Sequence, residues 1–126
     1  MTGKSVQKLI FPIIYLLLIS TIGIALHVST MNVTERLYKR GEQAFRFGNF
    51  AAAIKHFQEA LSKKPLYADA WFQTGLCYSQ LGLQDKAIEA FKQAIKIKPA
   101  HAKAHYELGN TYRAHRFYAQ AVEEFE

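Results

Sequence analysis

The feature that most constrains this chain is a repeat of 34 residues. Glycine recurs at Gly41, Gly75 and Gly109, alanine at Ala53, Ala87 and Ala121, and phenylalanine at Phe57, Phe91 and Phe125. Ala60 matches Ala94, and Pro65 matches Pro99. Leu37, Trp71 and His105 share the fourth place of each copy, and Tyr78 and Tyr112 share the eleventh. The copies are residues 34–67, 68–101 and 102–126, the last incomplete. Several columns in register over nearly three copies mean a stack of like units. Each unit buries its apolar face on the next, because one alone cannot.

Apolar residues within each copy fall at helical spacing, in two runs separated by turn signals. The spacing predicts helix pairs at 34–47 with 50–63, 68–81 with 84–97, and 102–115 with 118 onward. Gly48-Asn49 and Gly82 mark the turns inside the first two copies. Arg116 stands where the third copy needs its turn glycine, so that turn is less comfortable. A mid-helix glycine costs about 1 kcal/mol against alanine. Gly41, Gly75 and Gly109 are therefore expected where a second helix approaches closely, with Ala53, Ala87 and Ala121 as the partner positions. Phe57, Phe91, Trp71 and Tyr78 are the expected core rings. Pro65 and Pro99 end the second helices.

This pattern resembles the tetratricopeptide repeat family, over residues 34–126. The second copy carries nearly all of it: Trp71, Gly75, Tyr78, Ala87, Phe91, Ala94 and Pro99. The resemblance implies an all-α fold, an α-solenoid of helix-turn-helix repeats. It also implies a concave groove lined by the first helix of each pair. Carried onto this chain, the groove columns place Tyr38, Phe72 and Tyr106 as an aromatic track, beside Glu42, Leu76, Asn110 and Arg113. Glu35, Asp69 and Lys103 run from acidic to basic along it. The alternative is that these aromatics pack against a neighbouring repeat. Family members that clamp chaperone carboxylate tails use Lys, Asn and Arg in such columns. Here Tyr38, Glu42, Gln73 and Glu107 stand there, and two carboxylates would repel an acidic tail. The third copy stops inside its second helix, so further repeats or another domain are expected beyond Glu126.

Residues 1–33 are unlike the rest. Lys4 and Lys8 are their only charged side chains, and no formal charge follows from Leu9 to Thr34. The core of that run, Leu9 to Val28, is 20 residues. A helix of this length spans roughly 30 Å, the hydrocarbon thickness of a bilayer. The expected domains are thus a transmembrane anchor at 1–33 and the repeats at 34–126. A cleaved signal peptide is the competing reading, but its apolar region is usually about 7–15 residues. Lysine and arginine counts on the two flanks do not set the orientation. The short basic start favours a cytoplasmic N-terminus, with the repeats on the non-cytoplasmic side.

Charge and chemistry narrow the function. Net charge is +6, from 16 Lys and Arg against 10 Asp and Glu. Residues 34–126 carry only +4 of it, scattered along helices, and no nucleic-acid module accompanies it. No phosphate loop, HExxH or nucleophile elbow is present. His101 and His105 are four apart and read as packing residues rather than metal ligands, and lone Cys77 reads as small-residue packing. No enzyme activity, cofactor or metal is expected. The expected function is a single-pass, membrane-anchored scaffold binding a protein or peptide, within an envelope assembly or secretion complex. Two alternatives remain open. One is the substrate-recruiting part of an enzyme whose catalytic domain lies beyond residue 126. The other is a self-assembling structural protein.

Overall fold

The structure, a computed structural model, describes the backbone of residues 2–125. Side chains are described for all of these except 2, 4, 5, 28, 30–32 and 120–125. The expected columns at Ala121 and Phe125 therefore lie outside the described side chains. Five helices follow one another: α1 Thr2–Arg46, α2 Phe50–Lys63, α3 Ala68–Gln80, α4 Gln84–Ile97 and α5 Ala102–Phe125. The chain divides into two units, Met1–Val33 and Thr34–Glu126.

The first unit is helical, and its described side chains up to Ser29 are exposed. Val6–His27 is a 22-residue stretch of mean hydropathy 2.5 with none of it buried. It is long and apolar enough to cross a membrane. Pro12 lies within it, and Thr21 Oγ1 donates to the Leu18 carbonyl at 2.9 Å. That local bond satisfies a polar side chain without water.

The second unit is built from the repeat. Two turns have the same geometry. Gly48 and Gly82 both take φ +74°, the left-handed region that glycine enters without steric cost. Gly48 N–H donates to the Phe45 carbonyl and Asn49 N–H to the Ala44 carbonyl, each at 2.9 Å. Gly82 and Leu83 repeat these bonds to Ser79 and Tyr78 at 3.0 and 2.9 Å. These paired bonds close the end of each first helix. Asn49 then accepts from Ala52 N–H at 3.2 Å and caps α2. The second helices end alike: Lys64 and Lys98, each before a proline, leave the helical region, with φ −136° and −128°.

The close approach inside each pair differs in one detail from the expectation. A Cβ on Gly41 would stand 2.5 Å from the ring of Phe57, and one on Gly75 2.6 Å from the ring of Phe91. The glycine is thus a seat for a ring sixteen residues later, rather than only the partner of Ala53 or Ala87. Phe57, Phe91, Ala53 and Ala87 are completely buried.

The third copy departs from the pattern. α5 runs uninterrupted from Ala102 to Phe125, so the expected break between residues 115 and 118 is absent. The physical reason is Arg116. A residue with a Cβ costs about 1–2 kcal/mol in the left-handed conformation, and no non-glycine residue takes positive φ among the described residues. Gly109 accordingly has nothing within 4 Å of its would-be Cβ.

Two substitutions test this packing. Gly75→Ala should destabilise the repeats by about 1–3 kcal/mol, because it overpacks against Phe91. Gly82→Ala should cost about 1–2 kcal/mol through its positive φ alone. Thermal unfolding of the detergent-solubilised chain, followed by helical ellipticity, checks both. Unchanged midpoints would refute the seat and the turn.

Candidate partner-binding face

The candidate face is carried by the first helix of each pair: residues 34–46 of α1, then α3, then α5. Its chemistry is set by a motif that recurs at the junction between copies. The last residue of one copy lies over the fifth residue of the same copy and reaches its second. Tyr67 stacks on Tyr38 with ring centroids 4.9 Å apart, and its hydroxyl donates to Glu35 Oε2 at a long 3.5 Å. His101 stacks on Phe72 at 5.0 Å, and its Nε2 lies 3.1 Å from Asp69 Oδ1. His101 Nδ1 accepts the Ala104 N–H at 3.2 Å. Nε2 therefore carries the proton and donates to Asp69.

This junction decides where the expected groove residues fall. Tyr38 is half-buried between Tyr67 and Phe57, whose ring is 5.5 Å away. Phe72 is only 8% exposed and packs on Phe91 at 5.9 Å. It belongs to the core, not to an open track, because His101 covers it. Leu76 packs partly buried against the same core cluster. Tyr106 is 68% exposed. Glu42 and Asn110 are half-buried, and Arg113 is exposed and donates to Asn110 Oδ1 at 2.8 Å. The aromatic track thus reduces to Tyr106. The open side chains around the face are Glu35, Asp69, Lys103 and Arg113.

Electrostatics follow from burial. Desolvation pushes the Tyr38 phenol up to about 12; a hydrogen bond with Gln73 acts in the opposite sense, and the charges of Glu42 and Asp69 add to the rise. Burial, then the charge of Glu35, raises Tyr67 as well. Cys77 is buried and its thiol is pushed up to about 11 by desolvation, so it holds little thiolate at neutral pH.

Two features were not foreseen from sequence. The fourth-place residues share a bond: Trp71 Nε1 donates to the Pro65 carbonyl at 3.1 Å, and His105 Nε2 to the Pro99 carbonyl at 2.7 Å. His105 thus replaces a tryptophan by keeping its ring N–H, a signal readable from the shared column and the proline six residues before. The other is an open cavity of about 710 Å³ between the α3–α4 turn and α5, lined by Leu83, Gln84, Asp85, Ala114, His115 and Tyr118 among others. His115 Nε2 lies 3.6 Å from Asp85 Oδ1 there. No sequence motif marks it, since it depends on α5 continuing straight.

Antiparallel helix pairs in the first two copies, with a glycine seat under Phe57 and Phe91 and a left-handed glycine at both turns, define a helical-repeat protein. The chain belongs to the tetratricopeptide repeat family, whose profile matches residues 38–102. An uncharacterised protein of Methanocaldococcus jannaschii is 34% identical over 53 residues, which cover 42% of this chain and 62% of that protein. The crystal structure of MamA is 36% identical with a TM-score of 0.65, covering 73% of this chain and 54% of that one. The chain therefore spans about half the length of the MamA structure. The first tetratricopeptide domain of Spaghetti (RPAP3), solved with an HSP90 peptide, is 21% identical with a TM-score of 0.63, covering 64% of each chain. It shares the fold.

The buried phenols give a pH prediction. Their folded pKa values exceed the ordinary value of about 10, so the folded state holds these protons more tightly. Their contribution is whole below pH 10 and is lost as pH rises towards 12. The unfolding midpoint should fall over this range, and less steeply in Tyr38→Phe. Parallel slopes for the two proteins would contradict the assignment.

Proposed function

We propose that the chain is a single-pass, membrane-anchored scaffold whose repeats capture a protein or peptide segment. The observation that carries this is the presence, in one chain, of an unburied 22-residue apolar helix and a tetratricopeptide unit whose open side chains are charged and aromatic. Related folds support the binding half: the Spaghetti domain was solved with the HSP90 peptide SRMEEVD, and a domain of yeast Sti1 with an Hsp70 peptide. The partner here has different chemistry. Glu35, Glu42 and Asp69 face it across the first two copies, which disfavours an acidic tail and favours a segment with basic residues there. Lys103 and Arg113 then favour acidic residues opposite the third copy, with an apolar anchor on Tyr106. Placement within an envelope assembly or secretion complex, with the repeats on the non-cytoplasmic side, is part of the same reading.

Two measurements test it. Alkaline carbonate extraction should leave the full chain in the membrane pellet, and release into the supernatant would contradict the anchor. Crosslinking pulldown of the membrane form with mass spectrometry should report one dominant partner. Tyr106→Ala with Arg113→Glu should cut that capture about tenfold, a loss of about 1.4 kcal/mol, without moving the unfolding midpoint. Phe72→Ala should instead destabilise the fold by about 3–5 kcal/mol. Capture unchanged by the double variant would refute the face.

A further inference from the structure

The connections from one copy to the next share one end of the repeat unit, and that end is basic. Tyr67 stacks on Tyr38 and reaches Glu35, and His101 stacks on Phe72 and reaches Asp69. These contacts gather both connections, 64–67 and 98–101, with the starts of the first helices, the unit's first residue Thr34 among them. Residues 34–40, 60–74 and 94–108 make up this end: two turns of each first helix, the two connections, and the last turn of each second helix. They hold eight of the unit's 14 Lys and Arg but only three of its ten Asp and Glu. The remainder of the unit holds six against seven. Its net charge of +4 is therefore +5 at this end and −1 elsewhere.

All eight basic residues of this end are exposed. Lys64 and Lys98 share a column, each before its proline, with Lys63 and Lys96 just ahead of them. The acids nearby are engaged: Glu35 by Lys39 and Tyr67, Asp69 by His101. Beside Lys63 and Lys64 stands Leu66, 75% exposed on the first connection. A large apolar side chain held in water among lysines is the combination that seats a segment at a lipid interface.

We propose that this end docks on anionic lipid headgroups of the bilayer that the apolar helix enters, its connection lysines on the headgroups and Leu66 in the interface. The proposal rests on the membrane-anchored reading above. Thr34 follows the apolar stretch Val6–His27 by seven residues, which reach at most about 25 Å in any conformation. An anchored chain therefore keeps the basic end close to the bilayer, where each lysine shifts docking about fivefold. That attraction fades within a Debye length, about 8 Å at physiological salt. An acidic protein would answer the same charge, but the tether and Leu66 favour the bilayer.

Trp71 reads this end directly. It is the chain's one tryptophan, and its indole bonds the Pro65 carbonyl at 3.1 Å. The full chain is reconstituted into phosphatidylcholine vesicles, with or without phosphatidylglycerol, carrying headgroup-spin-labelled lipid as a quencher. Trp71 should be quenched on the anionic vesicles at low salt, and little on the neutral ones or at high salt. Lys63→Glu with Lys98→Glu should weaken the docked state more than tenfold, and Leu66→Asp should also weaken it. Lys63→Arg with Lys98→Arg should leave it unchanged. Circular dichroism confirms that each variant is helical. Flotation with neutral vesicles at high salt reports the anchor separately. A chain that floats while Trp71 stays unquenched on anionic vesicles would overturn the docking alone. So would quenching that ignores lipid charge or the double reversal, or a Trp71 signal that responds to soluble polyglutamate but not to anionic vesicles. A chain that fails to float would overturn the anchor and this proposal together.

Discussion

The repeats depend on one contact, a phenylalanine ring pressed where a glycine has no Cβ. At 2.5 and 2.6 Å from a would-be Cβ, the rings of Phe57 and Phe91 leave room for no other residue. The glycine loses helix propensity, and the ring gains full burial. That trade sets the separation of the helices in each pair and explains why the two columns recur together sixteen residues apart. Everything else in the unit adjusts around it. The left-handed glycine turns bring the second helix back, and the prolines stop it so that the next copy can begin.

The face proposed for a partner is shaped by the junction between copies. Tyr67 and His101 close over Tyr38 and Phe72 and tie down Glu35 and Asp69. What remains open among the expected groove positions is charge, with Tyr106 as their exposed ring. On the proposed reading, recognition there would rest on complementarity of charge around Tyr106, which gives specificity and on-rate more than raw affinity.

Much of this was legible in the residues. The repeat columns predicted α2 and α4 at their observed bounds, along with the buried rings of Phe57 and Phe91 and the glycine turns; Trp71 and Tyr78, expected beside them, pack only partly buried against the core. The cover over Phe72 was not legible, because the residue that provides it, His101, belongs to the neighbouring junction and differs from its counterpart Tyr67. Side-chain identity there follows stacking and a hydrogen bond, which a list of groove columns does not encode. The uninterrupted α5 was half legible: Arg116 marked a difficult turn, but only the backbone shows that the helix continues through it. That the helix runs on from the apolar segment into the first repeat likewise leaves no mark beyond an absence, since no proline or glycine lies between Gly23 and Gly41.

The central claim is that glycine seats and aromatic rings set the spacing of the helix pairs. Its most direct test is the glycine Hα chemical shift, read by NMR on detergent-solubilised chain with selectively labelled glycine. Ring currents should move Gly41 and Gly75 away from their random-coil positions, and Phe57→Leu and Phe91→Leu should each return one of them. Shifts at Gly41 and Gly75 that are ordinary for a helix, and indifferent to these substitutions, would contradict the account.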